Sequence, residues 1–143
     1  MVTGEDVVKL VILLKTNGIQ AWLSGGWGID ALLGEQTRPH KDLDVIIPLD
    51  EVCRLQELFS GEGYWLKEIW SENQYVADQR GINTATAFVL QDCNGRELDV
   101  HAVRLDASGN GIPAWADSEG FIFRKQDLSC EGFVGSYPVS CLS

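Results

Sequence analysis

The sequence is short of positive charge. Its 143 residues carry 11 lysines and arginines against 21 aspartates and glutamates, for a formal net charge of −10. A nucleic acid as main partner needs a basic footprint for its phosphates, and this balance argues against one. It suits a partner that is itself a cation, a metal ion or a polycationic small molecule, although an acidic surface that merely keeps a protein in solution has the same composition. Long apolar runs are also missing. The stretch around Val11 to Leu14 is far below the ~20 residues of a membrane helix. The opening MVTGEDVVKL has no basic n-region and no small-residue cleavage site, which predicts no signal peptide and a cytoplasmic protein. Cysteine is sparse: Cys53, Cys93, Cys130 and Cys141 form no C-x-x-C pair, which excludes the usual zinc spacing. Without a secretory leader they read as reduced thiols, and no His–Asn/Asp spacing marks any of them as a nucleophile. Repeats and low-complexity linkers are absent, so residues 1–143 are predicted to be one domain, long enough to bury roughly two thirds of the unfolded surface.

What is present divides into a helical first half and a strand-rich second half. Thr3 and Asp6 stand in capping-box spacing before a helix reaching about Thr16, with Val7, Leu10, Val11 and Leu14 as its buried stripe and Gly18 as its stop. Residues 21–24 read as a short strand ending at Gly25-Gly26, and 27–33 as a short helix closed by Gly34. Residues 43–47 read as a central strand ended by Pro48. Asp50 is expected to cap a helix through Ser60 whose Val52, Leu55, Leu58 and Phe59 face the core. Strands are expected at 64–70, 75–77, 84–90 and 97–103, the last two joined by the Asp92-Cys93-Asn94-Gly95 turn, with weaker ones at 120–123 and 138–142. The predicted fold class is α+β, a mixed β-sheet with helices packed on one face.

Three pieces carry chemistry. Gly25-Gly26-Trp27-Gly28 lies between a strand and a helix; such a turn brings backbone N–H groups close to a phosphate, or is simply a turn. Asp42 and Asp44 flank Leu43 in a strand, so both carboxylates project from one face and repel unless a cation lies between them; a solvated strand end is the alternative. Glu97, Asp99 and His101 share a face by the same alternation. If their strand neighbours that of Asp42 and Asp44, Asp99 completes a three-carboxylate cluster suited to Mg²⁺. His101 reads as a hydrogen-bonding or structural residue before a catalytic one. Trp27 reads as core packing, and Asp30 as a surface residue of the short helix.

The run GGWGIDALLGEQTRPHKDLDV, residues 25–45, together with ELDVH at 97–101, resembles lincosamide nucleotidyltransferases and aminoglycoside adenylyltransferases of the DNA polymerase β-like nucleotidyltransferase superfamily. The likeness implies a nucleotidyltransferase fold and transfer of a nucleoside monophosphate from a Mg–NTP, ATP first, to a hydroxyl of a small and often cationic molecule such as an aminoglycoside or lincosamide. It implies that Gly25 and Gly26 hold the triphosphate and that Asp42, Asp44 and Asp99 hold two Mg²⁺ ions, with Asp99 alternatively taking the acceptor's proton. Arg38 is the first candidate for a cation on the triphosphate, against a solvated loop arginine; His40 and Lys41 are weaker candidates. Family members continue past residue 143 into helices, so the likeness implies that the C-terminal helices which help close the substrate side are absent here. Residues 65–87 match no motif of the family. Two other readings remain open: a toxin–antitoxin-type nucleotidyltransferase acting on a protein or RNA, and a non-catalytic remnant that binds nucleotide or metal.

Overall fold

The computed structural model describes residues 1–116 and 120–143. Helix α1, Gly4–Thr16, starts on the expected capping box: the Asp6 amide donates to Thr3 Oγ1 at 3.1 Å and the Thr3 amide donates to Asp6 Oδ2 at 2.9 Å. Val7, Leu10 and Leu14 are its buried stripe. The short strand β1, Trp22–Ser24, runs directly into α2, Gly25–Leu33, so the helix begins at the glycine pair itself. Strand β2, Asp42–Pro48, is followed by a single 3-10 turn, Leu49–Glu51, and by α3, Val52–Gly61. Asp50 does not cap that helix. The intervening turn shifts the helix start to Val52, and the Asp50 carboxylate accepts from the Gln79 amide at 2.9 Å instead.

The second half supplies β3 (Trp65–Ile69), β4 (Tyr75–Ala77), β5 (Asn83–Ala85), β6 (Ala87–Gln91), β7 (Glu97–Leu105), β8 (Gly111–Pro113), β9 (Cys130–Val134) and β10 (Tyr137–Cys141). The strand expected at 84–90 is two strands. They part at Thr86, whose amide donates to Asn73 Oδ1 at 2.7 Å and whose hydroxyl donates to the Gln74 carbonyl at 2.8 Å. The amide and hydroxyl are thus turned to the neighbouring segment, while the carbonyl still accepts from the Ala102 amide of β7 at 3.0 Å. Residues 120–123 form no strand; Phe123 makes only an isolated bridge with Gly111. Strand β9 escapes a sequence reading because Gly132 interrupts its apolar run. The Asp92 turn forms as expected, its carboxylate accepting from the Asn94 and Arg96 amides.

The main sheet is mixed, in the order β3-β6-β7-β2-β1-β10-β9, with β8 against the end of β7. Strands β2 and β7 run parallel in its middle, pairing Asp42 with Glu97, Asp44 with Asp99 and Ile46 with His101. Alternation then sorts the side chains. Leu43, Val45, Ile47, Leu98, Val100 and Ala102 point to one face and join Val7, Leu14, Trp27, Leu55 and Phe59 of the three helices in one buried cluster. The opposite face is acidic where β2 and β7 begin and apolar further along, where Trp22, Ile46, Val103 and Leu128 form a second cluster. The α+β expectation, with helices on one face of a mixed sheet, therefore holds. No described helix is long and apolar enough to cross a membrane.

Candidate active site

Because β2 and β7 are parallel and in register, Asp44 and Asp99 lie side by side, and Ser24 of β1 aligns with Asp44 on the other side. Carboxylate oxygens of Asp42, Asp44 and Asp99 all lie within 4.8 Å of one another. The repulsion expected from such a group shows in the acidities of Asp44 and Asp42. Burial, then the neighbouring Asp42 and Asp99 carboxylates, push the Asp44 carboxyl up to about 7. Burial and the charges of Asp99 and Glu97 also raise Asp42. Oxygen-only donors, already partly desolvated and mutually repelling, fit a hard divalent cation of the Mg²⁺ kind.

The first turn of α2 abuts this group. Gly25 adopts φ +59°, a left-handed conformation that disfavours any side chain, and a Cβ there would fall inside the Asp44 carboxylate. The helix has no side-chain cap, so its first N–H groups and the positive end of its dipole are available to an anion beside the carboxylates. Arg38 stands at the same place: its Nη2 lies 3.1 Å from the position a Cβ on Gly26 would take.

One expectation about the intervening loop fails. Asp30 is not on the helix surface but 2% exposed, and its carboxylate is shared by His40 Nε2 at 2.6 Å, the Thr37 hydroxyl at 2.7 Å and the Thr37 amide at 2.9 Å. Burial opposes ionisation of Asp30, but these hydrogen bonds outweigh it and hold the carboxyl at about 2. His40 is equally buried, packs on Trp27 with ring centroids 5.0 Å apart, and pairs its backbone with Val2. Its Nε2 is committed to Asp30, while the Nδ1 side of the ring lies against Gly26, closer than Arg38 Nη2 to where a Cβ there would fall. The loop turns inward because a buried carboxylate needs partners, and Thr37 and His40 are those within reach. Trp27 is core packing, as expected, its Nε1–H donating to the Val2 carbonyl at 3.2 Å. Asp30→Asn is expected to cost roughly 3 kcal/mol, a melting shift on the order of 10 °C, because His40 and Thr37 lose a charged acceptor. Asp30's carboxyl lies below its ordinary value, so its contribution is present above pH about 4 and lost as pH falls toward 2. A melting point unchanged in the variant between pH 5 and 8 refutes this.

Lys41 is exposed, and its ammonium lies 3.4 Å from Glu97 Oε2, an ion-pair contact without hydrogen-bond geometry. Lys67, turned by a bulge in β3, reaches Glu97 Oε1 at 3.1 Å. Sequence reasoning missed Lys67, Trp70 and Glu72, all in the segment without a family motif. Trp70 Nε1–H donates to Asp99 Oδ1 at 2.9 Å, and His101 lies between Asp99 Oδ1, at 3.3 Å from Nδ1, and Glu72 Oε2, at 3.0 Å from Nε2. Burial alone would lower the pKa of His101, but its two carboxylate partners, Asp99 and Glu72, raise it above the ordinary value. No local signal marks these contacts, since they join residues 29 apart in the chain.

A family model of aminoglycoside-2''-adenylyltransferases matches residues 6–143. The chain belongs to this family. A lincosamide resistance protein of Staphylococcus haemolyticus is 23% identical over 144 residues, covering 99% of this chain and 80% of that protein. A 2''-aminoglycoside nucleotidyltransferase of Escherichia coli is 40% identical over 140 residues, covering 94% of this chain but 64% of its own length, so the chain spans slightly less than two thirds of that family member. Among solved structures, the lincomycin-bound crystal structure of the lincosamide antibiotic adenylyltransferase LnuA superposes with a TM-score of 0.78 at 24% identity, over 99% of this chain and 81% of the other. The crystal structure of ANT(2'')-Ia in complex with adenylyl-2''-tobramycin superposes with a TM-score of 0.71 at 21% identity, over 98% and 68%. At these identities the two structures establish the family's fold for this chain.

Proposed function

We propose that the chain is a Mg²⁺-dependent nucleotidyltransferase that moves a nucleoside monophosphate, adenylate first, from an NTP to a hydroxyl of an aminoglycoside- or lincosamide-like antibiotic. The observation that carries this reading is the convergence of Asp42, Asp44 and Asp99 within 4.8 Å beside the uncapped start of α2. The family match supports the reaction class, and the names of the relatives supply the two acceptor classes.

In this reading Asp42, Asp44 and Asp99 hold the cation. Mg²⁺ bound there would neutralise phosphate charge and favour in-line displacement. The N–H groups at Gly25 and Gly26, with Arg38 beside them, bind the triphosphate and orient its α-phosphorus. In its alternative role Asp99 accepts the acceptor's hydroxyl proton as that oxygen attacks the α-phosphorus; the bond to the β-phosphate oxygen breaks and pyrophosphate leaves. The residues act by positioning and by matching charge. A net charge of −10 draws a polycationic acceptor toward the sheet face, an attraction that weakens with salt as the Debye length falls to about 3 Å near 1 M.

Incubation with labelled NTPs, Mg²⁺ and a panel of aminoglycosides and lincosamides, read by mass spectrometry, tests the reading. The expected product is one antibiotic carrying one nucleoside monophosphate, with release of pyrophosphate. Modification of a co-expressed protein or RNA instead of any antibiotic would favour the toxin–antitoxin type. Binding of Mg–NTP without transfer to any acceptor would leave a nucleotide-binding module.

A further inference from the structure

The segment with no family motif packs against the reacting end of the sheet, and one contact there is unaccounted for by nucleotide or metal binding. Asp99 has poor support from its own sheet neighbours. On one side its cross-strand partner is Asp44, a repelling carboxylate; on the other it is Val89, which is buried and has no polar side-chain atom to offer. A carboxylate in that setting needs donors from elsewhere to keep one rotamer. The structure supplies a donor from beyond the sheet: Trp70 Nε1–H donates to Oδ1 at 2.9 Å, and on β7 itself the ring of His101 brings Nδ1 to 3.3 Å from the same oxygen.

We propose that Trp70 is the positioning residue for Asp99: its indole N–H, with the His101 ring, holds Oδ1 and so leaves Oδ2 as the oxygen presented to cation and acceptor. This rests on the nucleotidyltransferase reading above. The indole is itself held in place. The Trp70 amide donates to the Ala87 carbonyl at 3.1 Å, and the Trp70 carbonyl accepts from the Asn73 amide at 3.0 Å. Asn73 Oδ1 in turn accepts from the Thr86 and Ala87 amides at 2.7 and 3.0 Å. Glu72 continues the strap: its carboxylate faces His101 Nε2, and its backbone carbonyl accepts from the Ala116 amide at 2.7 Å. The same hydrogen bonds that split the expected strand at Thr86 therefore fix the tryptophan over Asp99. The strap acts through Asp99 and not on the substrate.

The test pairs kinetics with a measurement that needs no turnover. Trp70→Phe keeps an aromatic ring and removes the N–H. At saturating Mg²⁺ its kcat should fall about 10- to 100-fold, the range seen when an outer partner of a metal-site ligand is lost, while the KM for the acceptor stays within twofold. Without metal, the indole ¹H–¹⁵N resonance of Trp70, one of five tryptophans, should lie upfield of its wild-type position in Asp99→Asn, where a neutral amide replaces the charged acceptor. It should also shift on Mg²⁺ titration more than the other four. A folded Trp70→Phe protein with kcat within twofold of wild type would overturn the proposal. So would a Trp70 resonance indifferent to Asp99→Asn, and that result stands even where Trp70→Phe fails to fold. Absence of transfer by the wild-type protein would instead refute the nucleotidyltransferase reading, leaving the indole resonance to decide the Trp70–Asp99 contact separately.

Discussion

Asp44→Asn is expected to reduce nucleotidyl transfer by about 10³-fold or more and, at the same time, to raise the melting temperature of the metal-free protein at neutral pH. On the proposed reading, the loss follows from removing a charged ligand to a cation that would supply several kcal/mol of transition-state charge stabilisation, at about 1.4 kcal/mol per tenfold in rate. The gain in stability follows from the carboxylate cluster itself. Burial, together with the charges of Asp42 and Asp99, lifts the Asp44 carboxyl from its ordinary 3.8 to about 7. A carboxyl raised in the folded state binds its proton more tightly there than in the unfolded chain. Its contribution to stability is therefore lost as pH rises from about 4 through about 7. The metal-free wild-type protein should melt a few degrees lower at pH 8 than at pH 5 relative to the variant, with the size damped because Asp44 is partly open to solvent. Mg²⁺ should restore the wild-type protein at pH 8 by binding the native state, should do less at pH 5, and should do little for the variant. Calorimetry finding equal Mg–ATP affinity in the two proteins would remove Asp44 from the site.

Gly25→Ala is the second large effect. The backbone at Gly25 has φ +59°, a conformation in which any Cβ costs about 1–2 kcal/mol. The added methyl would also fall within the Asp44 carboxylate, so either that side chain or the first turn of α2 must move. A displacement of about 1 Å at a reacting centre costs on the order of 10²-fold in rate, and transfer should fall by that factor. Gly34→Ala separates strain from site. Gly34 has φ +78° but open space around it, so its substitution should cost similar stability and leave kcat near wild type. If Gly34→Ala lowers kcat as much as Gly25→Ala does, the loss reflects general destabilisation and not the carboxylate contact.

The acidic triad is legible in the sequence, because strand alternation forces Asp42 and Asp44 to one face and Glu97, Asp99 and His101 to one face. Neither statement needs the partner strand. What alternation cannot supply is the pairing. That β2 and β7 lie parallel and in register, with Asp44 opposite Asp99, follows from packing two apolar faces against the same three helices. The glycine pair is legible as a turn; its closeness to Asp44 is not, since φ and approach depend on how α2 leaves β1.

The class of chemistry came from the likeness of residues 25–45 and 97–101 to a known family, while the sequence by itself marked the elements: a capped first helix, a glycine turn, two acidic strands and an excess of negative charge. These are local properties, written in spacing and composition. Tertiary structure alone decided the fates of Asp30 and His40, read as exposed or cationic and found buried together. It also decided where the motif-free segment goes, laying Trp70 and Glu72 against Asp99 and His101 across 29 residues of chain. Such contacts depend on which surfaces remain to be covered once the sheet has formed, and a hydrogen bond between distant residues leaves no periodicity in the sequence for a reader to find.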